Sequence, residues 1–157
     1  MSNFERMMQL IDEVFGTRQD PGQLQVTRAQ QKKLASIHPS TLSEYKNNDG
    51  PLIWVLMIPT TEEVMNDFIG KKITENELLE RTPLNAEYTC IYLCSVTTLP
   101  EMRGKGKTKE LCLSAISSIC RNHPIKTLFV WPFTAGGDHL AKTLAKQTGL
   151  KLLERKK

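Results

Sequence analysis

Residues Pro100 to Thr108 read Pro-Glu-Met-Arg-Gly-Lys-Gly-Lys-Thr, and their types and spacing suit one task, the holding of a phosphate. Two glycines in a sharp turn let backbone N–H groups approach a ligand closely. The turn leads from a β-type run into an amphipathic helix that starts at Lys107. The first turn of that helix offers unpaired N–H groups and a positive dipole end to an anion. Arg103, Lys105, Lys107 and Lys109 crowd positive charge onto the same spot. An ordinary strand–helix connection with solvated lysines does not need Gly twice.

Two phosphate chemistries compete for this turn. Gly106-Lys107-Thr108 matches the end of a nucleotide-triphosphate loop, in which Lys meets the β- and γ-phosphates and Thr holds magnesium. That motif requires a further Gly at position 101, where this chain has Glu101, whose carboxylate repels phosphate. The next strand candidate, Thr127 to Phe133, also lacks the Asp that completes a magnesium site.

The other reading aligns Arg103-x-x-Gly106-x-Thr108 with Arg/Gln-x-x-Gly-x-Gly/Ala, the loop that cradles the coenzyme A pyrophosphate. On these residues the sequence resembles the GNAT acetyltransferase superfamily, the acyl-CoA N-acyltransferase fold, as a divergent member. The resemblance covers roughly Tyr88 to Glu154: a strand ending in Pro100, the Arg-Gly-Lys-Gly turn, a helix, a β run, a second helix with Ala141-x-x-Leu144, and Gly149-Leu150. It implies a GNAT-like mixed sheet flanked by helices, with a helical, divergent N-terminal half, in one acyl-CoA N-acyltransferase-like domain over residues 1–157.

The resemblance also implies roles, position by position. Backbone groups of Thr98 and Leu99 would pair with the pantetheine arm as an added strand would. Amides from Arg103, Gly104, Lys105, Gly106, Lys107 and Thr108 would hold the pyrophosphate, each charge-assisted hydrogen bond contributing about 1.5–3 kcal/mol. Thr108 stands where the family has Gly or Ala; its Cβ crowds the turn, and its hydroxyl can donate to a phosphate oxygen.

The chemistry so implied is direct attack of an amine on a thioester, which needs a base for the ammonium proton and benefits from an acid for the leaving thiolate. Three polar positions of the family are changed here. The acid, a Tyr after the Leu of Ala-x-x-Leu, is Ala145; the Asn before the Ala is Asp138; the carboxylate before the Pro is Cys94. A missing general acid costs on the order of 10²–10⁴ in rate, although a thiolate can leave with the help of water. Tyr92, two residues before Cys94 on one strand face, and Asp138 are the substitute candidates, so the catalytic set is Tyr92, Cys94 and Asp138. Against these stand structural readings: a half-buried sheet aromatic for Tyr92, a helix N-cap for Asp138, a solvent-facing first-turn residue for His139. Trp131 and Phe133, at a strand end, are candidates for shaping the acceptor side.

Three functional expectations follow. The first is an N-acetyltransferase using acetyl-CoA as co-substrate and an amine acceptor that the sequence does not name. The second is an acyl-CoA-binding sensor or interaction module that lost its acid and base. The third is a loop binding a nucleotide triphosphate with magnesium.

The elements that must position these residues are legible in part. Phe4, Met7, Met8, Ile11, Val14 and Phe15 recur at helical spacing, and Pro21-Gly22 breaks that helix. Leu24 and Val26 suggest a short strand, residues 28 to 38 a helix, and Thr41 to Tyr45 a further helical turn. After the Asn47-Asn48-Asp49-Gly50-Pro51 turn, Leu52 to Ile58 reads as a buried strand stopped by Pro59. Thr60 or Thr61 caps a helix through Phe68, and Thr74 to Leu79 is a second short one. Tyr88 to Leu99 is the longest β run; Lys107 to Arg121, Leu128 to Phe133, a helix to about Gln147, and Leu150 to Leu153 complete a strand–helix–strand–helix–strand series, the mark of an α/β sheet.

Composition agrees with this class. A chain of 157 residues buries a real core as one domain. No run reaches the roughly 18 apolar residues of a membrane span, and no apolar leader is seen, so a cytoplasmic protein without membrane contact is expected. Four Cys fit a reducing compartment, and their spacings make no zinc pattern, so no metal is expected. Cys112 and Cys120 share a face with Ile116 and Ile119 and read as buried thiols. The net charge of +4 gathers in the phosphate turn and the Arg155-Lys156-Lys157 tail, not in a nucleic-acid stripe.

Overall fold

In the computed structural model, which describes residues 1–18, 28–132 and 135–156, the Asn47–Gly50 turn closes a hairpin between β1 (Leu42–Asn47) and β2 (Gly50–Thr60). Asn47 fixes the corner: its Oδ1 accepts the Asp49 N–H at 2.9 Å and the Asn3 side-chain amide at 3.0 Å. The helical turn expected at Thr41 to Tyr45 is therefore a strand. Its residues pair in register with β2, from Leu42 opposite Leu56 to Asn47 opposite Gly50, and the hairpin overrides a segment with little β pattern of its own. The strand expected to stop before Pro59 continues to Thr60. Met57 directs its N–H to β1, onto the Thr41 carbonyl at 2.9 Å. Pro59, two residues on, aims its nitrogen the same way but lies past the start of β1, so the ladder loses no hydrogen bond.

β3 (Cys90–Thr98) runs antiparallel to β2, and β4 (Thr127–Val130) and β5 (Lys151–Glu154) follow in parallel, giving a five-stranded mixed sheet in the order β1-β2-β3-β4-β5. The parallel crossovers are α5 (Lys107–Asn122) and α6 (Ala135–Thr148). They lie with α1 (Asn3–Arg18) over one face, where Met7, Cys112, Ile116, Ile119 and Leu144 pack on Ile53, Val55, Met57, Ile91 and Leu128. The other face carries α2 (Arg28–Ile37), α3 (Glu62–Ile69) and α4 (Glu75–Arg81), with Leu34, Phe68, Leu78, Tyr92 and Phe129 in its core. Thr61 caps α3 by accepting the Val64 N–H, and Thr74 and Glu77 form a reciprocal capping box on α4.

All helices of the N-terminal half precede β3 as expected, but two strands accompany them where the sequence showed one. The Pro21-Gly22 break and the Leu24–Val26 strand lie outside the described residues. Cys112 is buried, but Cys120 is exposed: the apolar stripe of α5 follows Cys112, Ala115, Ile116 and Ile119, and Cys120 falls one position past it, near the free end of the helix. Among the described residues, no helix is long and apolar enough to cross a membrane.

Candidate functional site

The site grows out of a mismatch in strand length. β3 and β4 pair from Cys90–Thr127 to Leu93–Val130, where β4 ends, while β3 runs on to Thr98. At the point of departure β3 carries a bulge: Leu56 faces Ser95 and Met57 faces Leu93, leaving Cys94 as the extra residue. A bulge bends its strand and re-aims its side chains. The strands part here, and a cavity of about 610 Å³ opens between them. That volume lies within the roughly 300–1,000 Å³ typical of ligand clefts.

Its walls are Leu56 and Met57 of β2, Leu93 to Val96 and Thr98 of β3, Val130 at the end of β4 with Trp131 and Pro132 after it, and Leu140, Ala141 and Leu144 of α6. Arg103, Gly104 and Thr108 close one end, where the phosphate-type turn enters α5. The ends of two helices and the carboxyl ends of the parallel strands thus meet at one cleft.

The turn itself is built by two left-handed residues. Gly104 has φ +77° and Gly106 φ +75°, and a Cβ on either would meet nothing within 4 Å. Glycine is required here by backbone conformation and not by space. Gly106 is the N-cap of α5 and brings no side-chain cap, so the helix's first amides stay available to an anion. The Thr108 hydroxyl meets the Thr98 hydroxyl at 3.0 Å, tying the first turn of α5 to the last residue of β3. Arg103 and Lys105 are exposed; Lys107 pairs with Glu110 at 3.4 Å.

Thr98 and Leu99 separate in role. The Leu99 N–H donates to the Leu52 carbonyl at 2.9 Å and its side chain is buried, so this amide belongs to the β2 ladder. Alternation then aims the backbone groups of Thr98 and Val96 at the opposite edge, the one β4 has left open to the cleft.

Glu101 is held by Arg6 of α1 in a two-pronged pair, with contacts of 2.7 and 2.6 Å. Arg6 pulls the Glu101 carboxyl down to about 2, so it is ionised in any ordinary buffer. The sequence marked this residue as repelling phosphate; the structure shows its charge offset by a cation recruited from the far end of the chain, a pairing that no local pattern signals.

Of the three catalytic candidates, Cys94 lines the cavity, and Tyr92 and Asp138 do not. Tyr92 is fully buried and donates to Glu75 Oε2 at 2.5 Å, and its ring stacks on Phe129 with centroids 5.1 Å apart. It is deeper than the half-buried sheet aromatic expected. Asp138 lies inside the first turn of a helix that begins at Ala135, so it is not the N-cap; it pairs with Lys142 at 2.8 Å. Lys142, and then a hydrogen bond shared with Glu154, hold its carboxyl below the usual range, which makes it a poorer proton acceptor. His139 is exposed. Ala141 and Leu144 line the cleft while Ala145 packs into the core beneath α1, α5 and α6.

Trp131 lines the cleft and takes the Arg155 guanidinium over its ring at 4.5 Å; Phe133 lies outside the described residues. Leu56, Met57 and Leu140 were not singled out from sequence. The first two sit in an apolar run whose strand character was plain, but the bulge opposite them left no sequence signal. Among the described residues, no group of three or more His, Cys, Asp or Glu is placed to hold a metal ion. Comparison of the chain with protein-family models, with curated proteins and with solved structures finds no match.

Proposed function

We propose that this chain binds an acyl-CoA in the cleft between β3 and β4 and transfers its acetyl group to an amine, as an N-acetyltransferase of GNAT type. One observation carries the reading. The double left-handed turn at Gly104 and Gly106, at the head of α5, opens into the cavity left where β3 outruns β4. The turn suits a pyrophosphate, the open backbone edge at Val96 and Thr98 suits an amide-bearing arm, and the apolar walls suit an acyl group.

In the transfer, the amine lone pair attacks the thioester carbonyl. The carbon–sulfur bond breaks, the thiolate leaves, and the ammonium proton passes to water. Cys94 is the candidate polar side chain nearest the point of strand departure, and Trp131 shapes the wall facing it. The phosphate turn supplies binding and orientation, the part of catalysis that does not depend on an acid or base.

A second reading, a non-catalytic acyl-CoA sensor, is favoured by the placement of Tyr92 and Asp138 outside the cleft. Titration with acetyl-CoA and separately with Mg-ATP, by heat or thermal shift, tests the shared premise. Acetyl-CoA binding that Gly106→Glu abolishes, with ATP silent, supports it. Unchanged affinity in the variant removes the site assignment, and ATP binding instead favours the triphosphate loop. Release of free thiol on adding amines then separates enzyme from sensor.

A further inference from the structure

The outer edge of the sheet offers a second surface. β1 is the terminal strand, and among the described residues no strand lies on its free side. Free edges are ordinarily blunted by Pro, by a bulge in the edge strand or by charged side chains, lysine above all, which repel a partner of like charge. β1 has no Pro, and the irregularity between Tyr45 and Lys46 places its extra residue, Leu52, in β2. Its one lysine, Lys46, stands two residues from Glu44; both are exposed, and neither has an ion-pair partner among the described residues.

The hydrogen-bonding phase of this edge is fixed. The Thr41 carbonyl accepts from Met57 of β2, so Thr41, Ser43, Tyr45 and Asn47 direct their backbone groups inward. Leu42, Glu44 and Lys46 therefore direct theirs outward. An antiparallel partner must match outward residues with outward residues. For two copies related by a twofold axis, the register centred on Tyr45 satisfies this, and it sets Glu44 of each copy opposite Lys46 of the other. The neighbouring allowed registers place Glu44 against Glu44 or Lys46 against Lys46. Only the Tyr45-centred pairing is complementary in charge, and it forms about four main-chain hydrogen bonds across the axis. Tyr45, 38% exposed, then meets its own copy at a non-hydrogen-bonded position, where side chains approach most closely.

We propose that two copies of this chain pair through β1 in this register, continuing the sheet across a twofold axis. The inference rests on the β1 edge and not on the acyl-CoA reading, although the Tyr45 ring lies 5.9 Å from the Lys107 ammonium at the head of α5.

Sedimentation velocity over a wide concentration range tests it, with dilute-solution circular dichroism confirming that each variant folds. The wild-type chain should pass from monomer to dimer as concentration rises. Glu44→Lys alone and Lys46→Glu alone should each raise the dissociation constant by about tenfold or more, since two cross-strand attractions become repulsions. The two single variants mixed together should form a heterodimer, because every facing pair is again opposite in sign. The doubly swapped chain, E44K with K46E, should dimerise like the wild type. A wild-type chain that stays monomeric throughout overturns the proposal. So does a dimer that ignores the single reversals, or single variants that fail to pair when mixed.

Discussion

Gly104 and Gly106 show how much can rest on two dihedral angles. At φ near +75° an L side chain clashes with its own backbone, so Gly104→Ala should lower stability by about 1–2 kcal/mol in urea unfolding, although the added methyl would touch nothing. Gly136, inside α6 with no positive φ and open space around it, is the control: Gly136→Ala should be neutral or stabilise by up to about 1 kcal/mol. If both changes behave alike, the turn is not conformationally strained. Tyr92 poses a different question, whether a buried hydroxyl serves the reaction or the fold. Its hydrogen bond to the buried Glu75, and its place outside the residues that line the cleft, argue for the fold. Tyr92→Phe should therefore cost about 1–3 kcal/mol of stability through the buried hydrogen bond it loses, and leave thiol release per folded molecule unchanged. A stable variant with lost turnover would make Tyr92 catalytic.

At the level of elements, the series from β3 to β5 was legible because its physical signals are local. A β-branched run, a glycine turn, a helical stripe and Gly149 with φ +73° each declare themselves within a few residues. A cap at Thr60 or Thr61, which the structure places at Thr61, and a short helix opening at Thr74 were legible for the same reason. β1 was not, because a mostly exposed edge strand of polar residues takes its conformation from its partner. The bulge at Cys94, the early end of β4 and the Arg6–Glu101 pair were equally hidden, since each depends on residues distant in sequence. The glycine turn could thus be read, but not the cleft it opens into. The Arg6–Glu101 pair makes α1 a brace for that turn. Arg6→Ala should weaken acetyl-CoA binding by leaving a bare carboxylate beside it, and adding Glu101→Gln should restore most of the affinity. Equal affinities across the series, measured by calorimetry, would reduce the pair to a surface contact. The pair itself survives mild acid: it is complete above the ordinary glutamate value of 4.5 and is lost only as pH falls through about 2.

Across the whole molecule, α5 separates two chemical ends. Its head is the glycine turn; its tail, 16 residues and about 24 Å away, ends in a histidine knot. There His38 Nδ1 accepts the Ser40 N–H at 3.0 Å and its Nε2 donates to Asn122 Oδ1 at 2.8 Å, while His123 Nδ1 accepts the Tyr88 N–H at 3.4 Å. The rings of Tyr88 and His123 pack with centroids 4.7 Å apart, and those of His38 and His123 lie 6.0 Å apart. The knot joins the ends of α2 and α5 to the approach to β3. Burial, and then the neighbouring His38, push the His123 imidazole below its usual 6.5, with Glu87 opposing weakly. A histidine depressed in the folded state binds more protons when unfolded, so its contribution is complete above pH 6.5 and drains away as pH falls from there through the folded value. Chemical unfolding should accordingly show stability declining below pH 6.5, and His123→Asn, which keeps an acceptor for the Tyr88 amide but cannot titrate, should flatten that slope. Acetyl-CoA affinity, read at the other end of the helix, should vary across pH 6.5 only as the ligand's own phosphate monoester titrates (second pKa about 6), and identically in the wild type and in His123→Asn, as long as the chain stays folded. A pH dependence of affinity that His123→Asn removes along with the stability slope would mean that the knot and the cleft form one cooperative unit, with α5 as the rigid link between them.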